Sequence, residues 1–285
     1  MSYDFNLTYP ENKTPESVSD TLRELLVPRK WRHFLRSEKN ILINGNYRNF
    51  NELIFPNDKI EIHLDHVESL QRIYPPSGQL PDVVYEDENT LIINKPKGQK
   101  THPNQDETNT ALNDCATYLK RSPFIVHRLD MLTGGLLLVA KNPAVVPIFN
   151  RQLTNKTLKR DYLAQVDLSF TEYPLHAFGT INKPIGQDPF DKRKRMVTGN
   201  GLKAITHYHV LSQTKDIANL LVTLETGRTH QIRVHLSSEG MPIIGDPLYN
   251  SNFQSGQELQ LIGYQLTFNK PFSFETKTVI LNKKQ

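Results

Sequence analysis

The chain has 285 residues, 37% hydrophobic and 22% charged, and its 34 lysines and arginines against 30 acidic residues leave a net charge of +4. That composition fits about two globular domains and excludes a disordered chain. The single cysteine, Cys115, excludes an internal disulfide or a cysteine-cluster metal site. No apolar run approaches the roughly 18 residues of a membrane span. The N-terminus has neither the basic start nor the apolar stretch of a signal peptide, so the expected compartment is the reducing cytoplasm.

In chain order, residues 14–20 have the composition of a helix start, and Leu22, Leu25 and Leu26 recur at helical spacing until Pro28. Residues 29–36 form a second amphipathic piece with Trp31, Phe34 and Leu35 on its apolar side. Residues 41–45 read as a short strand into a turn. Residues 58–64 alternate, with Ile60, Ile62 and Leu64 on one face. These elements predict a small separate unit over residues 1–65. Residues 66–82 hold Pro75, Pro76, Gly78 and Pro81 with no apolar period and read as a linker. A second domain is expected over residues 83–285. It opens on a hairpin from 83–85 and 91–93. Strands are predicted at 136–140, 162–168, 204–211, 217–225 and 259–268, and helices at 110–120, 143–154 and 230–239. Strands outnumber helices without regular alternation, which predicts an α+β domain on a mostly antiparallel sheet.

Two segments concentrate chemistry. His127-Arg128-Leu129-Asp130-Met131-Leu132-Thr133-Gly134-Gly135 sets one carboxylate near basic residues and runs through two glycines into an apolar strand. Loops on rigid strands carry catalytic groups, and glycines permit a tight turn or the close approach of a substrate. A structural turn in which Asp130 caps backbone N–H groups fits the same residues. In the second segment Arg228, His230, Arg233 and His235 cluster. Ile232 and Leu236 are four apart and face a core, while His230 and Arg233 share another face. The arginine fork holds a carboxylate or a phosphate; a solvated helix face is the plain alternative. Gly199-Asn200-Gly201-Leu202-Lys203-Ala204 fits a nucleotide-binding fingerprint but leads into a strand-like run, not a helix, and is set aside.

Together the two segments closely resemble the signature motifs of the RluA-type pseudouridine synthases: His-Arg-Leu-Asp, a Thr-small-Gly step into an apolar strand, then Gly-Arg-Thr-His-Gln-Ile-Arg-Val-His-Leu over residues 227–236. Three further stretches match in order. They are Tyr85-Glu86-Asp87-Glu88-Asn89 with Asn94-Lys95-Pro96-Lys97-Gly98 and His102-Pro103; Arg160-Asp161-Tyr162-Leu163-Ala164; and Arg193-Lys194-Arg195-Met196 with Lys203-Ala204-Ile205-Thr206. The resemblance covers about residues 80–285. Gly134 stands where the family often has serine, and Arg160 where it often has lysine. Residues 14–64 resemble, more loosely, the small RNA-binding domain first described in ribosomal protein S-four.

The resemblance implies a catalytic domain on a bent, mostly antiparallel sheet with flanking helices and a central cleft, preceded by a small α/β RNA-binding domain. It implies isomerisation of uridine to pseudouridine in structured RNA, 23S ribosomal RNA above all, with no cofactor and no metal. The partner is RNA, ribosomal or within a pre-ribosomal particle, and the protein acts as a monomer away from membranes. Asp130 is then the essential carboxylate, Arg233 pairs with it, and Tyr162 stacks on the uracil and helps remove the C5 proton. Arg128 fills the gap left by the extruded base or meets its phosphate; a surface salt bridge is the alternative. His127 and His230 orient loops, and Ile232 and Leu236 wall the pocket. Lys95, Arg193 and Arg195 meet the RNA backbone or simply solvent. In the N-terminal unit Arg29, Lys30, Arg32, Arg36 and Lys39 suit phosphate contacts, while Trp31 and Phe34 either stack on bases or pack a core. Two other functions stay open. One is a non-catalytic RNA-binding ribosome assembly factor, against which the intact Asp130, Tyr162 and Arg233 set argues. The other is an N-glycosidase, for which no second acid is visible in the motifs.

Overall fold

The structure, a computed structural model, describes residues 1–171 and 175–282. The chain begins with β1 (Tyr3–Thr8), β2 (Glu16–Ser17), α1 (Val18–Glu24), α2 (Arg29–Ser37), β3 (Ile41–Ile43), β4 (Asn46–Tyr47), β5 (Leu53–Ile54) and β6 (Lys59–Leu64). The Ser17 side chain accepts the Asp20 amide at 3.1 Å and so caps α1. Pro28 cannot continue that helix and instead stands at the N-cap of α2. Strands β1, β6, β3 and β4 make one antiparallel sheet in that order. Ile60, Ile62 and Leu64 point inward, as the period of two requires. Trp31 and Leu35 are buried, so the tryptophan belongs to the core and offers no stacking face. Phe34 is only partly buried and lies under the Lys30 ammonium, 5.8 Å from its ring centre.

Residues 66–81 form no helix or strand, yet they are tied down. The Gln71 side chain donates to the Pro123 carbonyl and accepts the Ile125 amide, both at 2.8 Å. Tyr74 is buried, and the Ser77 hydroxyl donates to Asp114 at 2.6 Å. The segment is a strap laid along the larger unit, not a free tether.

Beyond it come β7 (Asp82–Glu86), β8 (Thr90–Lys95), α3 (Ala111–Leu119), β9 (Phe124–Ile125), β10 (Gly134–Ala140), α4 (Val146–Thr154), β11 (Lys159–Asp167) and β12 (Phe178–Asn182). Then follow β13 (Ile185–Gln187), β14 (Arg195–Val197), β15 (Ile205–Gln213), β16 (Ile217–Leu224), α5 (Gln231–Ser238), β17 (Leu261–Asn269) and β18 (Thr276–Ile280). One sheet runs β12-β15-β16-β11-β17-β10-β8-β7, with β9 beside β10 and β18 beside β17. Strands β13 and β14 stand apart as a two-stranded arm. The expected α+β class on a mostly antiparallel sheet holds. Among the described residues the one parallel ladder is β10 with β17, and it is two pairs long: Gly134 with Ile262 and Gly135 with Gly263.

Strand β10 is apolar at every position because both its faces are covered. Leu136, Leu138 and Ala140 pack with Ile148 and Phe149 of α4, while Leu137 and Val139 pack with Leu112 and Cys115 of α3 and Ile232 of α5. The first of these layers continues into the N-terminal unit. Phe5 stacks on Phe272 with ring centres 3.7 Å apart, and Tyr9 meets Phe274 edge-on at 5.5 Å. The two units therefore share one core. Phe272→Ala removes the central ring of that junction and should cost about 3 kcal/mol in chemical denaturation. The transition should also split, with the N-terminal unit melting first; a single unshifted transition would contradict the shared core.

Candidate active site

Asp130 lies on the turn between β9 and β10, and that turn is pinned on both sides. The Thr101 hydroxyl donates to the Leu129 carbonyl at 2.7 Å and accepts the Leu129 amide at 3.1 Å. On the other side the Met131 carbonyl accepts the Gly98 amide at 2.8 Å and the Lys95 ammonium at 3.4 Å. His127 is buried, and its Nε2 accepts the Leu138 amide at 3.0 Å, tying the turn to the strand it feeds. Gly135 follows at φ +105°. A Cβ there would lie 2.2 Å from the Gly263 carbonyl oxygen and 2.6 Å from its nitrogen, so only glycine allows this approach. On its other side Gly263 pairs with Tyr162. Tyr162, Gly263 and Gly135 form one row across three strands, which brings the Asp130 turn and the Tyr162 ring to the same cleft.

Helix α5 supplies the facing wall. The buried Gln231 side chain anchors its first turn. It accepts the Thr226 hydroxyl at 2.8 Å and the Arg228 amide at 3.0 Å, and donates to the Ile205 carbonyl and the Thr206 hydroxyl at 3.0 Å. Arg233, one face over, is buried and grips Asp246 through Nε and Nη2, both at 2.7 Å. Its remaining nitrogen, Nη1, lies 3.9 Å from Asp130 Oδ2, and His230 Nε2 lies 4.0 Å from the same oxygen. Both gaps exceed a direct hydrogen bond, and a water or a substrate hydroxyl can bridge them. The Tyr249 oxygen accepts the Arg195 amide at 2.8 Å and sits 2.8 Å from His230 Nδ1. Tyr249 thereby ties the His230 ring to the β13–β14 arm and holds its Nε2 edge toward Asp130.

Burial works against the Arg233 charge, but the hydrogen bonds and charge of Asp246, joined by Asp130, hold its pKa above the ordinary guanidinium value. Burial pushes His230 down, with Arg233 and Arg195 adding to it and Asp130 and Asp246 opposing. Burial also pushes the Tyr162 phenol up; Asp130 and Asp161 add to this and Arg160 opposes it. At neutral pH the ring therefore keeps its proton and is no base of its own accord. Arg160 is buried in the cleft wall. Its Nη2 reaches the Thr226 carbonyl at 3.3 Å, while its Nε has no partner. The cleft holds about 930 Å³ and is also lined by Arg128, Lys156 and Arg228. That volume and charge suit an extruded nucleotide.

The model of the RNA pseudouridylate synthase family matches residues 89–238, a span that includes Asp130, Tyr162 and Arg233. The chain belongs to that family. A second model, the RluD ribosomal pseudouridine synthase N-terminal domain, matches residues 5–60. A Bacillus subtilis (strain 168) protein described as the uncharacterized RNA pseudouridine synthase YlyB is 38% identical over 218 residues, 73% of this chain and 70% of that protein. The ribosomal large subunit pseudouridine synthase D of Nitrosomonas europaea is 36% identical over 252 residues, 85% of this chain and 71% of that protein. Human RNA pseudouridylate synthase domain containing 1 shares the fold, with a TM-score of 0.61 over 73% of this chain and 86% of that one at 23% identity. This synthase is an isomerase that acts on RNA.

Of the residues singled out in the sequence, the synthase brings Asp130, Tyr162, Arg233, Arg128, His127 and Ile232 to one cleft. Arg193 and Arg195 lie apart from its lining, on and beside the β13–β14 arm. Arg193 is exposed and grips Asp191 at 3.0 and 2.8 Å, and the Arg195 guanidinium donates to the Lys194 carbonyl at 2.9 Å. Arg29, Lys30 and Arg36 are exposed on α2, and Arg32 is partly buried. Two expectations are corrected. Lys95 is fully buried, and its ammonium donates to the Pro96 and Gln99 carbonyls at 2.9 and 2.7 Å as well as to Met131. It braces the Asp130 turn and cannot reach RNA; burial lowers its pKa to about 8 against the pull of Asp130. Leu236 is fully buried in the core one turn beyond Ile232 and forms no part of the cleft wall. Arg233, expected to pair with Asp130, has its close contact with Asp246 and reaches Asp130 at longer range. Asp246, Tyr249 and the site role of Arg160 were not foreseen. Gly245-Asp246-Pro247 reads only as a turn in the sequence, and nothing near it signals a partner for Arg233.

Burial drives the His127 imidazole down to about 3, with Arg160 adding to the effect. An unfolded histidine titrates near about 6.5, so between these values the unfolded chain binds the extra proton. The contribution is complete above about pH 6.5 and is lost as the pH falls toward about 3. His127→Gln keeps an acceptor for the Leu138 amide but cannot titrate. Its urea-measured stability should fall less steeply than that of the wild type between about pH 6.5 and 4.5, by up to about 1 kcal/mol per pH unit. Equal slopes would show that His127 is protonated in the folded state.

Proposed function

We propose that this synthase converts a uridine of 23S ribosomal RNA to pseudouridine with Asp130 as the reacting carboxylate. The observation behind this reading is the setting of Asp130, whose side chain is 29% exposed in the cleft while a buried guanidinium and an imidazole nitrogen approach one of its oxygens. Relatives named ribosomal large subunit pseudouridine synthase D, from Nitrosomonas europaea and Buchnera aphidicola, support the choice of RNA.

The reaction breaks the C1′–N1 bond, turns the uracil and rejoins it through C5, with no atom or electron gained. Oδ2 faces Arg233 and His230, which leaves Oδ1 for the ribose. It either attacks C1′ or takes a sugar proton to give a glycal. On either route Arg233 and His230 stabilise the carboxylate each time it is regenerated. Tyr162 stacks on the uracil, and because its phenol stays protonated, water assists removal of the C5 proton. Arg128, exposed at the cleft, fills the stack that the extruded nucleotide leaves. Residues 1–65 act as an RNA-binding domain through Arg29, Lys30, Arg32 and Arg36, residues 66–82 connect, and residues 83–285 catalyse. The protein works as a cytoplasmic monomer.

Unmodified ribosomal RNA carrying tritium at uridine C5 tests the reading. The protein should release tritium without free uracil. Free uracil would instead indicate a glycosidase, and no change at all a binding factor. Asp130→Asn should abolish release and leave RNA affinity within about 1 kcal/mol, because phosphate contacts dominate binding. Turnover surviving in that variant would remove Asp130 from the mechanism.

A further inference from the structure

Arg32 of α2 is partly buried, and its Nε is shielded from solvent with no hydrogen-bond partner. Burial lowers its pKa, and the charges that add to this are all cations: Arg23, Arg151 and Arg29. Asp20 holds Arg23 at 2.7 Å, but Arg29, Arg32 and Arg151 have no ion pair among the described residues. Uncompensated guanidinium groups from both units therefore repel one another across their junction. An acceptor-rich anion is what such a cluster lacks.

The place of Arg151 gives the cluster a direction. It sits on α4, which separates two cavities. Val146, Asn150, Leu153 and Thr154 of that helix line the active-site cleft. Ile148 and Gln152 line a smaller cavity of about 210 Å³, together with Leu25 and Leu26 at the end of α1. Arg151 is three residues from Thr154 and three from Ile148, so it projects from the flank between these faces, about 60° from each. It is thus the residue of α4 that can face both the cleft edge and the N-terminal helices.

We infer that Arg32 and Arg151, supported by Arg29, hold one backbone phosphate of the RNA whose target nucleotide occupies the cleft. This rests on the reading of the chain as an enzyme of RNA and adds a composite subsite to it. Two folded units would grip a single phosphate, and the strand would pass over α4 from the N-terminal helices into the cleft. Fork-shaped guanidinium groups suit the oxygens of a phosphodiester, and the bound anion would relieve the repulsion that the free protein carries.

The test is a double-substitution cycle with in vitro transcribed large-subunit ribosomal RNA, reading binding across a salt series. Arg32→Ala and Arg151→Ala should each weaken binding about tenfold, as the loss of a charged hydrogen bond does. Each should also make the dependence of log affinity on log salt shallower by about 0.7 to 0.9. Because both hold the same phosphate, the double variant should fall well short of the hundredfold loss of independent sites. Arg151→Lys should keep the salt slope and lose only part of the affinity. Without RNA the alanine variants should melt no lower than the wild type, since each removes a repelled charge. Unchanged binding in both single variants would overturn the subsite. Strictly additive losses would overturn the shared phosphate. Tritium release by the wild type is read in parallel. A wild type that binds but never turns over would refute the proposed reaction while leaving the cycle interpretable.

Discussion

Two residue pairs join the halves of the large sheet, and the site is assembled around that joint. One half, β12-β15-β16-β11-β17, carries Tyr162 and leads into α5. The other, β10-β8-β7, carries the turn with Asp130. Between them the ladder is only Gly134 with Ile262 and Gly135 with Gly263. Because no side chain fits at Gly135, the two backbones come close enough for groups more than thirty positions apart in sequence to share one cleft. The packing layers on either face of β10 then hold what so short a ladder could not hold alone.

Arg233 shows how a charge can be kept inside such a joint. A buried guanidinium with a single distant carboxylate would be expensive to desolvate. Asp246 solves this with two short hydrogen bonds and is itself fully buried, so the pair is formed before any ligand arrives. Asp130 is therefore not needed to neutralise Arg233, which leaves its carboxylate open to solvent and to chemistry. The same division appears on the other side of the turn. Lys95 spends its ammonium on three backbone carbonyls, so this lysine fixes where Asp130 stands without forming an ion pair with it.

Much of this was legible in the sequence because it is local. The alternation at Ile60, Ile62 and Leu64, the helix spacing before Pro28, the apolar run of β10 and the two motif segments each declare themselves within ten residues. Strand β1 did not, although Tyr3, Phe5 and Leu7 alternate with exposed Asp4, Asn6 and Thr8, because only Phe5 is buried and the run is six residues long. Strand β12 did not, because it is an edge strand with an exposed Phe178 and an internal glycine. The arm strands are three residues each, too short to show a period. In the site the unseen features are long-range pairings. Asp246 and Tyr249 take their meaning from Arg233 and His230, and neither carries a chemical signal in its own stretch of chain. Lys95 misled for the opposite reason: a lysine in a Lys-Pro-Lys-Gly run reads as surface, and only tertiary packing reveals three carbonyls turned inward to receive it.

The stacked rings of Phe5 and Phe272 have a consequence for how an RNA would be measured. A domain on a slack string samples many separations and pays entropy to settle on one. Here the spacing between the basic helix and the carboxylate is built in, so the pair works as a calliper with its jaws locked. A transcript that touches both must fold to that gauge, and selectivity among uridines then lies in the distance between two points on the folded RNA as much as in the bases around the target.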